Sequence, residues 1–397
     1  MGRLLLLCAV LGHVSLAAAA GIPDACGDLT RSAAGGRGAL LLPSFVDEKS
    51  PALVGAAFTY DNAVAAIALV ACGDLAGAGR IGDALLLALG RDRHWRDGRL
   101  RNGYAAGAPA DPIKLTGWWD SELGRWLEDG YQVGSDSGNA AWAMLALLAL
   151  ERASGDHRYQ QGALRLARWV EQTRDDRGAG GFRGGFTGND TKRVSVQWKS
   201  TEHNIDLAAA FALLASSTRD NRWQQRSAEA AAFVAAMWSD TCGCYATGTG
   251  VDGITINPLL ATDAQVWALL ALPQDDTRRS RVLETIRRRL SVAGGISYSE
   301  ARGGLWTEGT AQMALLLRLL HQDQAAARLS AAVAAQRSPN GGYFASDTAS
   351  LPTGFELSDG SGPRFYFHQR HLGATSWAAL AERGFNPFLA APALPAR

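Results

Sequence analysis

Asp61, Glu202, Asp263 and Glu308 each stand at the head of a segment that turns, within a few residues, into almost uncharged Ala/Leu-rich sequence. Asp206 follows Glu202 at i+4, so a helix would carry both on one face. Such carboxylates have two explanations. Acidic residues near a helix start are favoured by the free backbone N–H groups and the helix dipole, by up to ~1 kcal/mol, and capping accounts for any single one as well as catalysis does. Four at corresponding positions, among aromatic residues, ask for more. Burial raises a carboxyl pKa and hydrogen bonding lowers it, so neighbouring carboxyls can separate into an acid and a base. Cleavage of a glycosidic bond uses such a pair.

Tyr60, Trp118, Trp119, Trp198, Trp267 and Trp306 lie near the same starts or in long polar connections. Flat aromatic faces match the C–H faces of pyranose rings, and Arg101, Asn102, Asn139, Lys199, His203 and Asp206 are candidates to bond the hydroxyls. Core packing is the plainer role for Trp267. His368 and His371 are further candidates for the site wall. Their three-residue spacing could hold a metal, but the carboxylate pattern of zinc peptidases is missing. Neither a metal nor a cofactor is expected. There is no Gly-x-Ser-x-Gly elbow, and the Gly-rich stretch 178–188 lacks the strand and helix of a phosphate loop.

What must position these residues is a recurrent element. Six segments share one grammar, a polar or acidic start followed by an apolar helix, and they begin near Asp61, Asn139, Glu202, Asp263, Glu308 and His371. Their spacing is irregular, unlike a tight solenoid. Helices of this kind, apolar nearly all round, are buried on every side. Between them run amphipathic segments at 158–172, 222–238, 277–290 and 323–336, with apolar residues at three- and four-residue spacing. The economical packing is an all-α fold, an (α/α)6 toroid of inner helices ringed by outer ones. Long connections, with sparse short strands, then gather at one end, where sites are usually built.

The chain has 397 residues, 47% of them hydrophobic, and a formal net charge of +1. That balance gives no electrostatic reason to expect nucleic acid as a partner. Residues 1–20 have the build of a secretory signal peptide, and no later stretch is apolar enough to span a bilayer. A single domain is expected over 21–397, in an exported protein that is periplasmic or extracellular. Four cysteines then remain, Cys26, Cys72, Cys242 and Cys244. Cys26–Cys72 is the favoured disulfide among three pairings, and Cys242-Gly-Cys244 is unlike a zinc knuckle.

The segments TYDNAVAAIAL, GRLRNGY, GNAAWAMLALLAL, WKSTEHNIDLAAAFALL, DAQVWALLAL, WTEGTAQMALLLRLL and HLGATSWAALAERGFNPF resemble exported bacterial proteins of the six-hairpin glycosidase superfamily. The resemblance runs from about Tyr60 to Phe388. It implies a carbohydrate substrate and leaves the reaction open. More distantly, the order of acidic helices is similar to that of secreted (α/α)6 endoglucanases, with the residue types of the first and later carboxylates exchanged.

The expected activity is hydrolysis of a poly- or oligosaccharide, with Glu202 as general acid and Asp61 as general base. Glu308 is the alternative for either role. Inversion is expected by analogy, for which the carboxylates would lie ~6.5–9.5 Å apart rather than ~5–5.5 Å. Two rivals remain. One is a lyase or epimerase using His203, His368 or Tyr60 for proton abstraction, and the other a carbohydrate-binding envelope protein without turnover.

Overall fold

In the computed structural model residues 24–47, 49–356 and 362–390 are described, so the expected signal peptide at 1–20 lies outside them. The first six helices are α1 (Ala25–Ala33), α2 (Thr59–Cys72), α3 (Leu75–Gly90), α4 (Ser137–Ser154), α5 (His157–Val170) and α6 (Thr201–Thr218). The next six are α7 (Asn221–Ala236), α8 (Thr262–Ala271), α9 (Asp276–Thr285), α10 (Thr307–Leu319), α11 (Asp323–Ala334) and α12 (Leu372–Arg383). The even-numbered helices are the six that the sequence marks as apolar all round.

Their contacts close on themselves. Each even-numbered helix packs on the next, from α2 through α4, α6, α8 and α10 to α12, and α12 packs back on α2. Most odd-numbered helices lie against an even-numbered neighbour, α3 on α2, α5 on α4, α7 on α6, α11 on α10 and α1 on α12. The segment expected as one helix over 277–290 is split. α9 gives way to a π turn at Ile286–Leu290, and that turn carries the contact with α8.

Burial follows the same division. α2 is buried almost continuously from Thr59 to Val70. On α5 the buried residues are Tyr159, Gly162, Ala163, Leu166, Ala167, Trp169 and Val170, one stripe of an otherwise wet helix. Where the chain needs a cap it uses Asp on outer helices: Asp156, Asp220 and Asp275 accept first-turn backbone N–H groups of α5, α7 and α9. Helices α2, α4, α8, α10 and α12 have no side-chain cap bond at the N-cap position, and α6 is capped by Ser200. Capping therefore does not account for Asp61, Glu202 or Glu308.

The Cys26–Cys72 disulfide is formed and ties α1 to the end of α2; Cys242 and Cys244 form a second one. Short hairpins occupy the long connections. The longest pairs strand Ser350–Glu356 with strand Pro363–Phe367. No described helix is long and apolar enough to cross a membrane.

Candidate active site

The space between the inner helices is filled at depth by indoles. Trp142 of α4 lies 5.2 Å from Trp267 of α8 and 5.7 Å from Trp377 of α12, centroid to centroid. Trp267 is thus a core residue, 1% exposed. Tyr60 rests edge-on against Trp142. Its hydroxyl accepts a hydrogen bond from Trp377 Nε1 (2.8 Å) and donates one to Glu308 Oε2 (3.0 Å). The apolar floor and the first carboxylate are joined through that hydroxyl.

Above the floor, five inner helices begin with a carboxylate and the sixth with a histidine. Asp61 is in the first turn of α2, Asp136 precedes α4, and Glu202, Asp263 and Glu308 are the second residues of α6, α8 and α10. His371 is the N-cap residue of α12. Two groups form. In the first, His371 sits between Asp61 and Glu308: its Nε2 is 3.3 Å from Asp61 and its Nδ1 3.2 Å from Glu308 Oε1. Burial alone would depress the His371 pKa, but the charges and hydrogen bonds of the two carboxylates outweigh it and lift it to about 10. The imidazole is a cation at neutral pH.

The second group is Glu202 and Asp263, which share a side-chain hydrogen bond. Burial, then the charge of Asp263, pushes Glu202 well above the usual carboxyl range. Burial also raises Asp263, to about 6, although the Ala264 N–H at 2.8 Å works the other way. Two carboxyls this close hold a proton between them at neutral pH. Asp206 lies one turn deeper, fully buried, with no hydrogen bond of ordinary geometry at either oxygen. Burial and the charges of Glu202 and Asp263 push its carboxyl well above the usual range. Glu308 links the groups, for its charge raises both Glu202 and Asp263.

Close packing holds the first group together. A Cβ at Gly373 would stand 2.9 Å from Asp61 Oδ1, 2.9 Å from His371 Cε1 and 3.1 Å from the Glu308 carboxyl carbon. Gly373→Ala is accordingly expected to shift this cluster, cutting turnover by about 10²-fold and costing about 1–3 kcal/mol of stability. Steady-state kinetics and urea unfolding of the variant check both, and full activity would contradict the tight arrangement.

Several wall residues escape a reading of the sequence. Asp136, raised to about 7 by burial and held back by the Asn102 hydrogen bond and the charge of Arg364, is one. Its place one residue before Ser137-Gly138-Asn139 is a signal that aligning the six starts would have found. Tyr131 hydrogen-bonds Asn139 and its phenol is raised by burial. Tyr298 and Tyr366 pack on Trp306, at centroid distances of 4.8 and 5.5 Å, and Tyr366 lies 6.3 Å from His371. Trp306 is itself covered, at 2% exposure. Arg364 projects its charge onto Glu202, Asp263 and Asp136.

The remaining candidates divide. Asn102 accepts from Asn139 Nδ2 (2.7 Å) and from the Asp136 N–H (2.7 Å), and so braces the start of α4. His203 is placed beside Ser137 Oγ (3.1 Å) and 5.5 Å from the Trp198 ring, and burial lowers its pKa to about 4. It is a neutral imidazole. Arg101 and Lys199 are buried and engaged elsewhere. Arg101 bonds Asp92, Asp190 and the Val133 carbonyl, while Lys199 bonds the Arg177 carbonyl beside Asp175. Both fasten loops rather than face the carboxylates. His368 stacks on Phe344 and contacts the Ser346 carbonyl, away from the cluster. Trp118 and Trp119 form a hairpin strand paired with Arg125–Leu127, where Trp119 is 62% exposed opposite Trp126.

No family model and no curated protein matches the chain. Solved structures do. A glycosidase variant in complex with glucose is 17% identical, covering 91% of this chain and 95% of its own, with a TM-score of 0.63. Cellobiose 2-epimerase from Bacillus thermoamylovorans is 12% identical, with coverage of 90% and 95% and a TM-score of 0.59. A mannosylglycerate hydrolase from Thermus thermophilus in complex with glucose is 16% identical, with coverage of 90% and 98% and a TM-score of 0.58. At such identities the likeness is one of fold, and the fold of this chain is one that carbohydrate-processing enzymes have.

Proposed function

We propose that the chain is an exported, single-domain (α/α)6 toroid that hydrolyses a glycosidic bond with inversion. The closed circuit of inner helices supports the toroid, and the two disulfides suit an oxidising compartment. One observation carries the activity: Glu202 and Asp263 are paired at the heads of two inner helices in a ring that also holds Glu308, and burial with the Asp263 charge raises the Glu202 carboxyl well above its ordinary value. Glu202 donates that proton to the glycosidic oxygen as its bond to the anomeric carbon breaks. Glu308 takes a proton from the water that attacks the opposite face, and the water oxygen becomes the new hydroxyl. Of the two carboxylates offered as base, Glu308 is preferred because its charge reaches both Glu202 and Asp263. Asp61 and His371 then position Glu308.

A second reading, lyase or epimerase, is favoured by one feature, the neutral His203 next to Glu202, a base in reserve. Incubation of the protein with a panel of polysaccharides, read by mass spectrometry, separates them. Hydrolysis adds a water per cleavage, a lyase product lacks it and absorbs in the ultraviolet, and an epimerase leaves the mass unchanged. Unsaturated products, or none from any glycan, would remove the hydrolase reading.

A further inference from the structure

Side chains alternate along a strand, so on strand Pro363–Phe367 Arg364 and Tyr366 share one face and Phe365 and Phe367 the other. The second face is open to solvent, with Phe365 37% and Phe367 44% exposed. The first belongs to the site. Tyr366 packs 5.5 Å from Tyr298 and from Trp306, and the Arg364 guanidinium lies 5.7 Å from the Tyr366 ring centre. Arg364 is solvent-exposed, on the face of the strand that it shares with Tyr366. Its charge acts on the heads of α4, α6 and α8 together.

Unlike the buried Arg99 and Arg101, this cation has no ion-pair partner among the described residues. Arg101, fully buried, bonds Asp92 and Asp190, and Arg99 bonds Asp97. Among the described residues no carboxylate lies within ion-pair distance of Arg364, and its guanidinium donates no hydrogen bond to protein. Five donors in a planar fork, matched to a carboxylate, are unused beside the Tyr366 ring.

We propose that the substrate is an acidic glycan and that Arg364 grips a sugar carboxylate in the subsite over α4, α6 and α8. This rests on the carbohydrate reading of the site and deepens it. The guanidinium accepts the carboxylate through two parallel N–H donors, so the sugar next to the cleaved linkage is a uronic acid rather than a neutral hexose. Tyr131 and Tyr298 close the sides of that subsite.

Calorimetric titration of the full chain tests it, with Glu202→Gln introduced to prevent turnover. The probes are matched oligosaccharides: mannuronate against mannose, galacturonate against galactose, glucuronate against glucose. At least one acidic member is expected to bind about tenfold to a hundredfold more tightly than its neutral match, the scale of hydrogen bonds to a charged group. The preference should shrink with added salt, vanish in Arg364→Gln and survive in part in Arg364→Lys. Near-ultraviolet circular dichroism confirms that these variants are folded. Equal or better binding of the neutral members, failure of every acidic member to bind, or an unchanged preference in Arg364→Gln would overturn the proposal. Preference carried by Arg364, with no cleavage of acidic glycans by the unaltered protein, would remove the hydrolase reading and leave this one standing.

Discussion

Glu202→Gln is expected to lower kcat by about 10²–10⁴-fold, the usual share of a general acid, without loss of stability at pH 7. The amide has the shape of the protonated carboxyl and can still hydrogen-bond Asp263, so the pocket keeps its form. It cannot release a proton to a leaving oxygen. Stability as a function of pH supplies an independent reading. The native pKa of Glu202 is raised above its ordinary value of 4.5, so the folded state binds the proton longer than the unfolded chain does. That contribution is complete at acid pH, and stability falls as pH rises above about 4.5 towards the native value. Unfolding in urea across that range should therefore show a shallower decline for Glu202→Gln than for the unaltered protein, with Asp206, Asp136 and Asp263 supplying the remainder. The alkaline limb of activity belongs to the Glu202 and Asp263 pair jointly. A variant that keeps even a tenth of its kcat would remove Glu202 from the acid role.

The six inner helices could be read from the sequence because two patterns differ in kind. AAWAMLALLAL has no wet face, while RYQQGALRLARWVEQ has one, and only a two-layer helical packing uses both. The carboxylates at the helix starts were legible for the same reason, since an ionisable group entering an apolar helix is costly without a purpose. What escaped reading depends on pairings between distant segments. Arg364 and Tyr366 reach the site because their strand pairs with Ser350–Glu356, and nothing within PRFYF states which face will turn inward. Arg101 and Lys199 show the converse. Each stands in a motif beside site residues, and only the placement of Asp92, Asp190 and Asp175 reveals that their charges are already answered. Local spacing finds groups that need a partner; tertiary structure decides which have one.

His371→Gln is expected to be the most damaging single change to stability, costing about 3–5 kcal/mol at neutral pH, the range found when one partner of a buried ion pair is removed. Asp61 is 2% exposed and Glu308 1%. Without the imidazolium between them, two carboxylates would face each other out of reach of water, with only the Tyr60 hydroxyl left to answer Glu308. The pH dependence follows from the raised value. His371 goes from 6.5 in the unfolded chain to about 10 in the folded one, so its contribution is fully present below 6.5 and is lost as pH rises through 10. The unaltered protein should weaken over that window, and His371→Gln should lack that part of the slope. A merely structural histidine would give neither the slope nor the rescue that this arrangement implies. Adding Asp61→Asn to His371→Gln removes one of the two opposed charges, so the double variant should regain a substantial part of the loss, a non-additivity that a double-mutant cycle measures. Equal stability of His371→Gln and the unaltered protein at pH 7, or a double variant weaker than either single one, would mean that Asp61 and Glu308 do not need the cation between them, and the positioning of the base would have to be found elsewhere.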